Sequence, residues 1–409
     1  LLLLVVIGVV NTAQLHNLER RVGEMEKGGG PRTAGTGRGA SSDAKLGENI
    51  AVGAPGKTCF VSAEDEAALK DPANLLRPLV YPEGWPETVV RSGALRRHVA
   101  SDPPGLNLLA SNNAADVSEL YRYIGAKLAY QSPWTPDDWY PDLATKITRS
   151  EDGLTYDVEL RDGVAWHKPA VDLSDPRYAW LAGDHEVVAD DFKFTLEIIQ
   201  NPQVVGRAAN LRNYFESWDR IEVVDDHHFR VHFKENLYTN QSVLLDLHPT
   251  PRWLYMYDED GKPFDAATWG EKQNSHWYNQ KGIGNGPYRF VSWEPGVKMT
   301  LARNERYHLE KCLPTNFDGV EIAMLKDQAG WLRYLASGKL DYTQVMPSQY
   351  VAEIKGKEPY LGEERLKFVT HATSSFFYIG WNATRPLFQD KRVRRALTHA
   401  LDRQGLVDG

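Results

Sequence analysis

Several clusters of side chains have the types and spacing that chemistry uses. Gly56-Lys57-Thr58 in "AVGAPGKTCF" carries the end of a phosphate-binding pattern. Such a loop needs Gly, four residues, then Gly-Lys-Ser/Thr, so that successive backbone N–H groups curl around the anion. The leading glycine would fall at position 51, which is Ala51, and Pro55 removes one donor. The flanks "GENI" and "CFVSAEDEAALK" supply neither the buried strand nor the helix that the loop requires. The stretch reads as the end of a Gly/Pro-rich linker. His227, His228 and His232 could hold a metal. On a strand, His228 and His232 share a face and His227 points the other way. Nothing nominates a further ligand, so histidines on an exposed hairpin is the better reading and no metal is expected. Asp137, Asp138 and Asp142 in "TPDDWYPDL" have the types for paired acid–base work. Pro136 and Pro141 make this a turn-rich loop, where Asp serves turn geometry. No nucleophile elbow, zincin helix or Cys/His pair is present. Cys59 and Cys312 match no metal-site spacing and allow one bridge at most. Binding, with no cofactor and no catalytic residue, becomes the leading class rather than an enzyme.

"GIGNGPYRFVSWEPG" at 282–296 is the most distinctive stretch. Gly284-Asn285-Gly286-Pro287 is a tight turn of little bulk, and Tyr288, Phe290 and Trp293 then enter a strand. Such a turn suits a chain crossing between lobes, where backbones bend and pack closely. A phosphate loop is rejected because no helix follows.

The elements around these residues are of both kinds. "ALRRHVAS" (94–101) reads as a strand, followed by a turn at Asp102-Pro103-Pro104-Gly105. "VSELYRYIGAKLAY" (117–130) places Leu120, Ile124 and Leu128 on one helical face. "DGLTYDVELRDGV" alternates as a half-buried strand, and "DRIEVVDDHHFRVHF" reads as a hairpin around Asp225-Asp226. "VADDFKFTLEIIQNP" is a helix with Asp190 as its N-cap and Asn201-Pro202 as its stop. "QAGWLRYLASGKLDYTQV" is a helix closed by Gly338, then a strand, and "FQDKRVRRALTHALDR" is a further helix. No internal repeat is present, and the sum is a mixed α+β architecture rather than a doubly wound one.

A chain of 409 residues calls for two or more lobes. A net charge of −8 without a basic stripe argues against nucleic acid. Twelve Trp and nineteen Tyr suit an aromatic-lined cleft as well as a core. The opening "LLLLVVIGVV" reads as the end of a signal peptide or of an uncleaved anchor, residues 1–14. The anchor is favoured because "NTA" is a poor cleavage site, and no Cys follows for lipidation. Leu15, Leu18, Val22 and Met25 form an a/d seam over 15–27. This is either a short coiled coil that self-associates through 15–25 or a short solvated helix. Residues 28–57 are rich in Gly, Ser and Ala and read as a flexible linker.

Six stretches, in order, carry a resemblance: "LRRHVASDPPGLNLL", "PDLATKITRSEDGLTYDVELRDGVAWH", "VADDFKFTLE", "GIGNGPYRF", "LASGKLDY" and "PLFQDKRVRRALTHALDR". Along most of residues 94–409 the chain resembles the extracellular solute-binding proteins of peptide-type ABC importers, the dipeptide- and oligopeptide-binding family 5. The resemblance implies an α/β fold of mixed α+β sheets, with two lobes of the periplasmic-binding-protein type II kind. It implies lobe I from 58–110 and 283–373, a lobe I subdomain at 111–282, and the start of lobe II at 374–409. Family members continue beyond the position of Gly409, and the acidic group that meets a peptide's amino terminus lies in that later part. The resemblance further implies a peptide ligand held between lobes, ABC permease subunits as partners, and a location in the bacterial cell envelope outside the cytoplasm. Ser111, Asn112 and Asn113 in "ASNNAAD", with Tyr214, match cleft-lining segments. The strand "SSFFYIGWN" would border the cleft, with Phe376, Phe377, Tyr378 and Trp381 walling the side-chain pockets. Alternate members of that strand are equally suited to the core. Trp166 and His167 match framework positions. The same family also takes sugars, nickel and haem as cargo, and an anchored scaffold or sensor without transport is the reading from another class.

Overall fold

The structure is a computed structural model that describes residues 48–345, except 85, 112, 113, 133, 134 and 136, and residues 379–405, except 404. The chain divides into two units: Lys45–Thr343 is one, and Leu1–Ala44 with Gln344–Gly409 is the other. Among the described residues no helix is long and apolar enough to cross a membrane.

The strands of the first unit begin with β1 (Glu48–Ala51), β2 (Thr58–Cys59), β3 (Leu79–Val80), β4 (Thr88–Arg91), β5 (Ala94–Val99), β6 (Ala129–Gln131) and β7 (Trp139–Pro141). They continue with β8 (Ala144–Arg149), β9 (Thr155–Leu160), β10 (Trp218–Asp225), β11 (His228–Phe233), β12 (Tyr288–Glu294), β13 (Lys298–Arg303) and β14 (Gly319–Met324). The helices that matter below are α1 (Ala63–Ala68), α2 (Ala114–Ile124), α3 (Ala189–Gln200), α4 (Arg207–Leu211) and α5 (Asn240–Leu245).

An antiparallel sheet runs β10-β11-β9-β8. Its strands alternate as a one-sided sheet must. Tyr156, Val158 and Leu160 of β9 and Phe229, Val231 and Phe233 of β11 face the core, while His228, Arg230 and His232 face outward. Helix α3 covers the apolar face with Phe192, Leu196 and Ile199, and Phe192 stacks on Phe229 at 5.2 Å. Each such side chain stabilises the fold by about 1.5–3 kcal/mol relative to exposure. Asp190 does not cap this helix. Val188 is the N-cap residue, and Asp191 accepts its backbone N–H at 3.2 Å.

The second sheet runs β12-β13-β14-β5, with β14 and β5 parallel and in register from Gly319 opposite Ala94 to Met324 opposite Val99. Val117, Leu120 and Ile124 of α2 are buried, and the last two pack with Met299, Leu301, Val320 and Ile322 of the sheet. The helix expected to run to residue 130 stops at Ile124 because the glycine-rich turn clamps its end. Asn285 and Gly286 donate backbone N–H groups to the Ile124 carbonyl at 2.9 and 2.8 Å. A Cβ on Gly284 would sit 1.9 Å from that same oxygen, so only glycine allows the approach.

The linker expected over 28–57 does not reach residue 57. Residues 48–51 form β1, paired with β4 from Glu48 opposite Arg91 to Ala51 opposite Thr88. Its sequence lacks apolar alternation, so only the partner strand reveals it. Residues 1–47, with the expected anchor and seam, lie outside the described residues. Cys59 and Cys312 form a disulfide across 253 positions, and the Tyr81 hydroxyl donates to the Cys312 carbonyl at 2.8 Å. Nearby, Asp65 of α1 meets Arg161 in a buried ion pair at 2.7 Å. In the second unit, Trp381 packs on Phe388 at 5.5 Å and donates to the Thr398 hydroxyl at 3.2 Å.

Candidate functional site

Strands β5 and β14 are parallel, so their carboxyl ends lie at one edge of the sheet. In open α/β sheets ligands gather beyond such ends. The chain leaving β5 forms a loop over residues 100–111. Asn107 sets its shape. Its side-chain Oδ1 accepts the backbone N–H groups of Leu109 and Ala110 at 2.9 and 3.1 Å, and its Nδ2 donates to Asn279 Oδ1 at 2.9 Å. Gly206, at a φ of +75°, lets α4 approach: its absent Cβ would lie 2.3 Å from the Ala110 carbonyl. Arg207 and Ala208 then donate backbone N–H groups to Ser111 and Leu109 at 3.1 and 2.8 Å.

Two cavities border this loop. The larger, about 430 Å³, is lined by Asn107, Ser111, Asn274, His276, Trp277 and Asn279, among others. Its polar groups are mostly engaged within the protein. Asn274 donates to the Gln203 carbonyl and accepts from Val205 N–H, both at 2.9 Å. His276 donates from Nε2 to the Tyr257 carbonyl at 2.8 Å and accepts Tyr278 N–H at Nδ1. Burial holds this imidazole down to about 4, so it is neutral at pH 7.

The smaller cavity, about 260 Å³, lies between three helical segments. Helix α3 supplies Thr195 and Ile199, α4 and the turn after it supply Arg207, Leu211, Tyr214 and Phe215, and α5 with the residues after it supplies Val243, Asp246, Leu247 and His248. Thr195 and Ile199, Arg207 and Leu211, and Val243 and Leu247 are i, i+4 pairs. The walls are mainly apolar. Arg207 Nη1 donates to Ser118 Oγ at 2.6 Å, and among the described residues no carboxylate lies within ion-pair distance of it. Desolvation lowers the Arg207 pKa, partly offset by the charge of Asp246. Asp246 itself is held by Lys127. His248 Nδ1 meets the Ala126 carbonyl at 2.9 Å, so Nδ1 carries the proton and Nε2 keeps a lone pair. Burial lowers its pKa as well.

Of the residues expected at the site, Ser111 is buried and lines the larger cavity, and Tyr214, 67% exposed, lines the smaller one. The loop between Pro104 and Ser111 borders both. Trp381 belongs to the second unit. Asn112, Asn113, Phe376, Phe377 and Tyr378 lie outside the described residues. Trp166 and His167 are buried framework: Trp166 donates to Asp191 at 2.9 Å, and His167 donates from Nε2 to the Gly286 carbonyl at 3.0 Å. The three histidines of the hairpin each take a different carboxylate. His228 meets Asp157, His232 meets Glu222 and His227 meets Glu186, at 2.8, 2.8 and 3.0 Å. Asp142 is more than a turn residue, being fully buried and paired with His308 at 2.7 Å. Sequence reasoning passed over Arg207, His248 and Asn107. Arg207 had one signal, the glycine before it in "VVGRAANL", which marks a close backbone approach.

The chain leaves this unit along the free edge of β5. Asp341 meets Arg96, the Arg97 guanidinium lies 4.4 Å from the Tyr342 ring centroid, and His98 reaches the Thr343 hydroxyl at 2.8 Å.

Comparison with known proteins bears on this site. The family model described as bacterial extracellular solute-binding proteins, family 5, middle, matches residues 138–409. The oligopeptide-binding protein AppA of Bacillus subtilis is 27% identical over 268 residues, 65% of this chain and 42% of that protein. Di/tripeptide-binding protein 1 of Pseudomonas aeruginosa is 25% identical over 279 residues, 66% of this chain and 47% of that protein. The chain thus spans less than half the length of these relatives. Among solved structures, AppA from Bacillus subtilis in complex with a nonapeptide superimposes with a TM-score of 0.58 at 24% identity, covering 77% of this chain and 55% of that one. NikZ from Campylobacter jejuni in complex with Ni(L-His) gives 0.56 at 21% identity, with the same coverage.

Proposed function

The chain belongs to family 5 of the bacterial extracellular solute-binding proteins, with their two-lobed mixed α/β fold, and we propose that it is the substrate-binding receptor of an ABC importer for short peptides. The peptide is captured between two lobes, ligand raises the closed population, and the closed form delivers its cargo to permease subunits in the membrane. No bond is made or broken, so the receptor is no enzyme and needs no cofactor. The family is extracytoplasmic. The Cys59–Cys312 bridge supports an oxidising compartment. Within that compartment, residues 1–14 anchor the chain in the membrane, 28–47 tether the body, and 15–25 form the self-association seam.

The observation that carries the reading is the loop after β5. It lies at the carboxyl end of the parallel β5–β14 pair and borders both cavities, with Ser111 on one and Tyr214 lining the other. Ser111, Asn112, Asn113 and Tyr214 are the ligand contacts proposed for this unit, and Phe376, Phe377, Tyr378 and Trp381 are those proposed for the second unit. Pairing with the peptide backbone accommodates many sequences, while these rings accommodate its side chains.

Native mass spectrometry on the full chain, purified without denaturation, tests the reading. Adducts forming a ladder of peptide-like masses support it. A single adduct of another kind names a different cargo, and a spectrum still free of ligand after a peptide-library soak overturns transport of peptides.

A further inference from the structure

The 260 Å³ cavity has a chemistry of its own. We propose that it binds an apolar residue bearing a free carboxylate, with the side chain against Leu211, Val243 and Leu247 and the carboxylate on Arg207. The peptide as carrier of that group rests on the receptor reading above, but the site itself lies wholly within residues 108–250.

Arg207 is the reason. A guanidinium offers five N–H donors in a planar fork that matches a carboxylate. Here the fork is half-buried and spends Nη1 on Ser118. A desolvated cation without an anion is costly, and an incoming carboxylate repays that cost. Gly206 and the Arg207 N–H bond to Ser111 fix the backbone from which the side chain starts, so the fork is held in place before ligand arrives.

The remaining groups select among anions. Asp246 also lines the cavity, with its charge already met by Lys127. It disfavours a dianion such as phosphate and tolerates a monoanion. His248 is neutral, with Nε2 as an acceptor, and adds no second cation. The volume is below the range for drug-sized ligands and holds one amino-acid side chain. Tyr214, at 67% exposure, places this lining in contact with solvent. A leucine- or phenylalanine-like carboxyl terminus meets all of these conditions.

Isothermal titration calorimetry on the full chain, with N-acetyl-L-leucine, N-acetyl-L-leucinamide, tri-leucine and tri-leucine amide, tests the site. The acid should bind at least tenfold more tightly than its amide. Arg207→Gln should remove that preference, and Val243→Phe, which fills the cavity, should abolish binding of both. Should Arg207→Gln fail to fold, the acid-to-amide ratio of the unaltered chain and Val243→Phe still decide. Equal affinity for acid and amide, an unchanged Arg207→Gln variant, or no heat with either leucine derivative at millimolar concentration overturns the proposal. Tri-leucine that binds with no dependence on Arg207 or its own carboxylate preserves the receptor reading while refuting this site. Arg207-dependent binding of N-acetyl-L-leucine without binding of tri-leucine does the reverse.

Discussion

Asp341 engages Arg96 with both carboxylate oxygens, at 2.9 Å to Nε and 2.6 Å to Nη2, and also accepts the Arg96 backbone N–H at 2.8 Å. The Asp341 N–H returns a bond to the Arg96 carbonyl at 2.9 Å. The pair closes the free edge of β5 at the point where the chain leaves its first unit. Burial alone would raise the Asp341 carboxyl, but the hydrogen bonds and charge of Arg96 outweigh it and hold the group below its ordinary value. A depressed carboxylate stabilises the fold above its unfolded pKa of about 4 and loses that contribution as pH falls through the folded value. Both side chains are partly exposed, so Asp341→Asn should cost only about 0.5–1 kcal/mol at pH 7. Urea midpoints of the variant and the parent should differ at pH 7, and the gap should narrow as pH falls below about 4. A gap that stays constant throughout the acid range means that the charge of Asp341 is not what stabilises the edge.

Gly284 makes the sharper steric prediction. Its missing Cβ would lie 1.9 Å from the Ile124 carbonyl, and that oxygen accepts both Asn285 and Gly286 N–H groups. Gly284→Ala must push the turn off the helix end and break both bonds, at a cost of about 3 kcal/mol or more. Gly163, at φ +73° with open space around its Cβ position, supplies the contrast. Gly163→Ala should cost about 1–2 kcal/mol, from backbone strain alone. Thermal unfolding of the two variants should rank them in that order, and equal losses would show that the clamp is not close-packed.

The Cys59–Cys312 bridge closes a loop of 253 positions. In the chain-entropy account, a loop this long puts the stabilisation at the top of the usual range, about 5 kcal/mol or slightly more. Reduction, or Cys59→Ser with Cys312→Ser, should lower the urea midpoint markedly and release the segment around α1 to proteolysis first. An unchanged midpoint under reductant means that the bridge does not form in the isolated chain.

What could be read from sequence followed from periodicity and from glycine. Tyr156, Val158 and Leu160 alternate because one sheet face is buried, and that signal is local. Gly284 was legible as a point of close packing, because close backbone approach demands glycine wherever it occurs. The misses have non-local causes. Strand β1 has no apolar pattern and exists through its pairing with β4. Helix α2 ends at Ile124 because a turn 160 positions later caps it, while the apolar repeat continued to Leu128. Asp142 reads as a turn former, yet it is buried because His308 arrives from another part of the chain. Ser111 and Tyr214 were nominated only through family resemblance, since they share no spacing that chemistry would impose. Arg207 was passed over because the lack of a carboxylate within ion-pair distance, among the described residues, is a property of its neighbours.

Asp191 gives the pH dependence of opposite sign. Its carboxyl is buried against the sheet core, where it accepts Trp166 Nε1–H and Val188 N–H on one oxygen and Arg252 N–H on the other. Burial nonetheless pushes it up to about 7, outweighing those donors. A raised carboxyl is still protonated in the folded chain when its unfolded counterpart has ionised. Its contribution to stability is therefore largest below about pH 4 and declines as pH rises towards 7. Asp191→Asn keeps the shape and fixes the neutral form, with an NH₂ where the protonated acid carries O–H. Both forms set one donor against a backbone or indole donor, so the variant mimics the protonated state. It should flatten the fall in stability between pH 4 and pH 7 while leaving the acid limb below pH 4, set by groups such as Asp341, in place. Urea unfolding of the two proteins at half-unit pH steps measures this. Parallel curves from pH 4 to 7 would mean that the three donors keep Asp191 ionised throughout, and that α3 starts from a charged N3 carboxylate.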